Sequence, residues 1–269
     1  MRLKNCSVAH TLASLRAGEL AGLQRLDLSC GLTHFPPEIF GLADTLEILN
    51  LSGNALSDLP ADLPKLHKLR VLFCSDNRFT RVPEVLGLCP ILEMVGFKAN
   101  QITELPAAAL PPKLRWLILT DNVLEQLPSQ LGACTRLQKL MLSGNRLHQL
   151  PDELAHCTRL ELLRIAANRF THLPDWLLVM PRLAWLACAG NPFSDSGEAA
   201  ATDNNSLPHI NWHDLDLQEQ LGEGASGVIY RAHLRSEPEA APVAVKIFKG
   251  ALTSDGLPRS EKVACLTAG

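Results

Sequence analysis

The chain has 269 residues, 46% of them hydrophobic and 20% charged, and its 25 basic and 28 acidic side chains leave a net charge of −3. That balance belongs to an ordinary water-soluble protein with room for one or two domains. Without a basic excess or any run of Lys and Arg, it argues against a nucleic-acid partner.

The N-terminal MRLKNCSVAHTLASLRAGEL holds no unbroken apolar stretch of signal-peptide length. No later segment approaches the roughly 18 apolar residues that a bilayer-spanning helix needs. We therefore expect no membrane contact and a cytoplasmic location. Residues 14–23, SLRAGELAGL, are predicted as a short helix.

From there the chain repeats itself. Leu46, Leu69, Leu92, Leu114, Leu137, Leu160 and Leu183 each open a segment of the form LxxLxLxxNxLxxLP, at spacings of 23, 23, 22, 23, 23 and 23 residues. One period earlier stands Leu23, with Gly31 in the asparagine slot, which makes eight turns. The first, fourth and sixth positions of each turn point inward from a short strand. No single turn buries that face, but stacked turns do, pairing their strands into one parallel sheet. Asn54, Asn77, Asn100, Asn122, Asn145, Asn168 and Asn191 stand where the chain leaves the strand, and their amides are expected to satisfy backbone groups that the bend would orphan. Pairs such as Leu59-Pro60, Val82-Pro83 and Leu150-Pro151 put proline on the outer arc, away from the ladder.

These segments resemble the leucine-rich-repeat family. The resemblance spans residues 23–193 and implies a solenoid with a curved parallel sheet, capped at its open end by residues 1–22. The phase also explains the eight cysteines. Cys74 and Cys188 replace a core leucine, and Cys89, Cys134 and Cys157 share a slot with Leu66 and Met180. Five thiols thus act as small hydrophobes, and no CxxC pair or Cys/His cluster suggests a metal.

Residues between the core leucines face the concave side. The third positions run Arg25, Ile48, Val71, Met94, Trp116, Lys139, Leu162 and Trp185; the fifth run Asp27, Asn50, Phe73, Gly96, Ile118, Met141, Arg164 and Ala187. Strand propensity alone accounts for β-branched and aromatic residues there. The apolar cluster rimmed by Arg25, Lys139 and Arg164 also fits a protein-binding groove with Trp116 and Trp185 as anchors. A third reading has the groove covered by the chain's own C-terminal segment. The groove reading assigns partner contact to Ile48, Val71, Phe73, Met94, Trp116, Ile118, Met141, Leu162, Arg164 and Trp185.

Residues 194–211 are small and polar, as in a linker. From Trp212 the chain reads WHDLDLQEQLGEGASGVIYRAHL, followed after a short gap by VAVKIF, which alternates as strands do. Gly222, Gly224 and Gly227 form GxGxxG; the following VIYRAHL is a strand and not the helix that a dinucleotide site requires. With Lys246 in VAVK nineteen residues on, residues 212–269 resemble the first strands of a protein-kinase N-lobe, as in the bacterial leucine-rich-repeat serine/threonine kinases. The full expectation is therefore an α/β chain, a solenoid followed by an incomplete antiparallel N-lobe.

That resemblance implies ATP at Leu221, Gly222, Glu223, Gly224, Ala225, Ser226 and Gly227. Ile229 and Ala244 would cover the adenine, and Lys246 would hold the α- and β-phosphates, positioned by Glu261. Glu261 also reads as a solvated acid at a helix start. The family's Mg²⁺ ligands, its catalytic aspartate and its DFG are absent from these 269 residues, so no phosphotransfer is expected of this chain alone. Two functions remain open: the sensor and ATP-binding front of a serine/threonine kinase, or a non-enzymatic repeat scaffold.

Overall fold

The computed structural model describes residues 8–194, 210–224, 227–237, 239–249 and 257–258. A single α-helix, α1 (Val8–Arg16), opens the described chain and sets Leu12 and Leu15 against the core of the first turn. It ends well short of the predicted residue 23. Gly18 lies at φ +72°, its N–H donates to Leu15 O (3.1 Å), and Glu19 N–H donates to Ser14 O (3.0 Å). This left-handed glycine closes the helix, and Gly22 at φ +84° gives a second break.

Eight three-residue strands follow: β1 (Arg25–Asp27), β2 (Ile48–Asn50), β3 (Val71–Phe73), β4 (Met94–Gly96), β5 (Trp116–Ile118), β6 (Lys139–Met141), β7 (Leu162–Arg164) and β8 (Trp185–Ala187). They pair in chain order as one parallel sheet, each position meeting the same position of the next turn. Leu49, Leu72, Leu140 and Leu163 in the fourth slot are fully buried, as are Leu51, Phe97, Leu142 and Ile165 in the sixth. The outer arc departs from an α/β pattern. It carries 3₁₀ helices of three to six residues; Glu84–Leu88, Ser129–Ala133 and Asp152–His156 each begin directly after a proline, whereas Leu63–Lys65 follows Asp62 and holds Pro64 within it. A 23-residue turn that spends most of its length on strand and bends leaves room for little more. The arcs also approach closely: a Cβ on Gly132 would lie 2.2 Å from Glu153 O.

The asparagines bond as the sequence implies. Asn145 is typical, with Oδ1 accepting from Leu124 N–H (3.0 Å) and Nδ2 donating to Leu119 O and Leu142 O (both 2.9 Å). Asn122, Asn168 and Asn191 repeat the scheme one turn apart. The residue before each asparagine adopts a left-handed conformation that the sequence reading did not anticipate, and it is strained wherever that residue is not glycine. Gly53, Asp76, Ala99, Asp121, Gly144, Ala167 and Gly190 all lie at φ between +53° and +72°. Only three of the seven are glycine.

Beyond the solenoid lies a second, antiparallel sheet of β9 (Leu215–Glu223), β10 (Gly227–Leu234) and β11 (Val243–Phe248), in the order β11-β10-β9. Six described cysteines are free thiols. Burial pushes the Cys74 thiol far above its ordinary value, Cys89 and Cys134 to about 11, and Cys157, beside Cys134, to about 12. No helix among the described residues is long and apolar enough to cross a membrane.

Candidate protein-interaction face

In-register stacking assembles all ten groove residues into two adjacent rows on one sheet face. Ile48, Val71, Met94, Trp116, Leu162 and Trp185 lie in the row of third positions, interrupted by Lys139; Phe73, Ile118, Met141 and Arg164 lie in the row of fifth positions. Most are half-buried among one another, while Trp185 at the end of the sheet is 53% exposed. Gly96 makes room for this packing. A Cβ there would meet the Phe73 ring at 2.7 Å, so the missing side chain lets Phe73 lean towards Ile118.

Three expected features are arranged differently. Trp116 is not a bare anchor, because Lys139 Nζ sits 3.9 Å from the centroid of its ring. An ammonium so placed is attracted by the ring quadrupole, and it covers part of the indole. Lys139 and Arg164 therefore stand within the apolar field and not on its rim, Arg164 Nη1 lying 3.9 Å from Met141 Sδ. Arg25 is held by Asp27 (2.7 and 2.9 Å), which also accepts from Asn50. The Arg25 hydrogen bonds outweigh partial burial and hold the Asp27 carboxyl below the ordinary range.

The actual rim is a ladder at the second position of each turn. Arg70 bridges Glu47 (3.7 Å) and Glu93 (3.1 Å), and Arg115 reaches Glu93 (3.4 Å) and Gln138 (2.9 Å). Burial of Glu93 opposes ionisation, but the two guanidiniums win and its carboxyl titrates below its ordinary value. The signal for this ladder was alternating charge at the 23-residue period: Glu47, Arg70, Glu93, Arg115. A separate cleft of about 530 Å³ lies beyond the bends, lined by Thr103, Glu125 and Arg146 among others, and holds none of the groove residues.

In the second sheet, register places Ile229 opposite Lys246 and Gly222, and Arg231 opposite Ala244, so that Ile229, Lys246 and Ala244 share one face. Leu221, 56% exposed, is the extra residue at a bulge between Gln220 and Gly222. Gly224 N–H closes the hairpin on Gly227 O (2.9 Å), and a Cβ on Gly227 would strike Ile247 O at 2.5 Å. Lys246 Nζ lies 4.8 Å from the Phe248 ring, and Glu223 pairs with Lys249. Ala225, Ser226 and Glu261 lie outside the described residues.

Comparison with known proteins agrees with the solenoid geometry. Leucine-rich-repeat family models match residues 45–66 and 135–193, and neither reaches the second sheet. A leucine-rich-repeat protein of Leptospira interrogans is 27% identical over 66% of this chain and 51% of its own, with a TM-score of 0.52. The ectodomain of the Arabidopsis thaliana receptor kinase GASSHO1/SCHENGEN3, solved with Casparian strip integrity factor 2, is 26% identical over 66% of this chain and 25% of its own, with a TM-score of 0.51. TLR13 bound to ssRNA13, 23% identical with a TM-score of 0.59 over 67% of this chain and 27% of its own, shares the fold. The chain thus spans about half of the Leptospira protein and a quarter of the ectodomain. No curated protein matches significantly. The solenoid thus carries leucine-rich repeats, stacked so that their strands form one eight-stranded parallel sheet.

Proposed function

We propose that the chain is a protein-interaction module whose partner docks on the concave face of the repeats, and that in this capacity it is a scaffold and not an enzyme. The observation that carries this is the contiguous apolar field from Ile48 to Trp185, which stacking holds rigid and leaves open to solvent at its Trp185 end. The Arabidopsis ectodomain, similar over 66% of this chain, was solved in complex with Casparian strip integrity factor 2, which supports the reading by analogy. A cytoplasmic location is part of the proposal and draws on the six free thiols. Trp185→Ala should weaken a purified partner by about 2 kcal/mol, roughly 30-fold in Kd, while the circular dichroism stays unchanged. Unchanged affinity for both Trp185→Ala and Trp116→Ala would remove the concave face as the docking surface.

A second reading concerns residues 212–269. Ile229, Ala244 and Lys246 on one face beside a glycine hairpin are the parts with which a protein kinase would cover adenine and hold phosphate, so we infer an ATP-binding front of the serine/threonine-kinase type, with ATP and Mg²⁺ as its ligands. ATP titrated into the labelled chain should shift Gly222, Ile229 and Lys246 amides with affinity no tighter than about millimolar, since half the pocket belongs to other elements. No shift at these amides would leave the scaffold reading alone.

A further inference from the structure

Two residues before the paired ladder of second positions runs a row whose charges do not alternate. Lys113, Arg136, Arg159 and Arg182 each stand three residues before their strand, β5 to β8, and all four are exposed. Each follows Pro or Thr in a tight turn, closed in the first three by Leu114 N–H to Pro111 O (3.1 Å), Leu137 N–H to Cys134 O (2.8 Å) and Leu160 N–H to Cys157 O (2.9 Å). Those leucines are buried, so the turns are tied to the core, and in-register pairing of the strands stacks the four cations in one column. Glu47, Arg70, Glu93 and Arg115 meet such stacking by alternating in sign and pairing. The column does not. Among the described residues, no ion pair or side-chain hydrogen bond engages any of its four members. The preceding position supplies no acid either, holding Pro112, Thr135, Thr158 and Pro181. Like charges set opposite one another on neighbouring strands repel, so the column carries a cost that an outside anion would relieve. It ends at Ile91, one turn before Lys113.

We propose that this column is a second interaction surface, separate from the concave face, and that it takes an α-helix of a protein partner carrying one acidic side chain per turn. Spacing selects the helix. Strands about 4.8 Å apart spread the four cations over about 14 Å. Acids at i, i+4, i+7 and i+11 of a helix share one face at about 5.4 Å per turn and span about 16 Å, a mismatch that long Lys and Arg side chains absorb. Same-face acids of an extended segment, about 6.8 Å apart, would cover about 20 Å and lose register by the fourth pair. The column is also narrow. Exposed Asp152 and Glu153 precede Arg159 in its turn and Glu161 follows it, so the anionic plane of a membrane would meet these acids as well, whereas a rod lying along the column need not.

Binding of labelled helical peptides to the full chain at low salt, read by fluorescence anisotropy, tests this. An alanine-based peptide with Glu at i, i+4, i+7 and i+11 should bind about tenfold tighter than an isomer of equal charge whose Glu residues are spread around the helix, and rising salt should weaken it. Exposed ion pairs are individually weak, so Arg136→Gln with Arg159→Gln should together loosen binding about tenfold, while Lys at both sites retains most of it. Circular dichroism should not change, because these side chains support nothing in the fold. Arg136→Glu with Arg159→Glu should prefer the Lys counterpart of the peptide. Trp185→Ala should leave binding as it is, which separates this surface from the concave-face reading. Equal affinity for the two isomers, or indifference to the double Gln variant, would overturn the proposal and leave the concave face standing. Loss of the peptide in Trp185→Ala alone would place it on the concave face and overturn the column. Phosphatidylserine vesicles that bind the chain and release it on the double Gln substitution, with no discrimination between the isomers, would overturn the helix in favour of a membrane surface.

Discussion

Replacing Asn145 with alanine tests whether the asparagine ladder holds the turns together. Asn145 is 7% exposed and satisfies three backbone groups, Leu124 N–H, Leu119 O and Leu142 O, at 2.9 to 3.0 Å. Alanine removes all three bonds, and the buried site admits little water to replace them. At about 1 kcal/mol or more for each orphaned group, the loss should be about 3 kcal/mol. Because solenoid stability is a sum of turns and their interfaces, the damage should centre on β5 and β6. Urea denaturation followed by circular dichroism should register the loss, and amide exchange at Leu124 and its neighbours should quicken. Asn54→Ala is the internal control. Asn54 lies near the open end, is only half-buried, and accepts from Cys30 and Leu32 N–H, so water can partly substitute and the cost should be smaller. A loss below about 1 kcal/mol for Asn145→Ala, with exchange at Leu124 unchanged, would refute the view that the ladder is an energetic tie.

Ala99→Gly and Ala167→Gly should each stabilise the protein, since both alanines are held at φ +53°, where a Cβ costs about 1 kcal/mol; thermal melts of the two variants give the sign directly. Gly53→Ala should do the opposite, because a Cβ there meets Ser29 Oγ at 2.6 Å as well as the positive φ. The Glu93 carboxyl titrates below its ordinary value when folded, so its contribution is complete above the unfolded value and disappears as pH falls through the lower folded one. Glu93→Gln should therefore flatten the acid side of the stability–pH curve, and an unchanged slope would show that the Arg70–Glu93–Arg115 ladder contributes nothing.

The candidate face was largely legible in the sequence. Period 23 assigns Ile48, Val71, Met94 and Trp116 to one row because each residue of a turn can only stack on its equivalent in the next. What did not follow was the direction each long side chain takes from that row. Lys139 read as a rim charge, and its resting place over Trp116 depends on the spacing between β5 and β6, which sets the two side chains side by side.

Sequence by itself determined the solenoid, its eight strands, its buried leucines and the donors and acceptors of its asparagines, because these rest on local chemistry repeated in one register. The end of α1 was misplaced because left-handed Gly18 halts a stretch whose other residues suit a helix. Tertiary structure alone decided which concave side chains cover one another, which carboxylates the rim arginines engage, and how Phe73 uses the space at Gly96. Those outcomes depend on atoms some 23 residues apart in the chain meeting across a stacked interface, where distances of a few ångströms settle which side chains meet and how strongly charges act on one another.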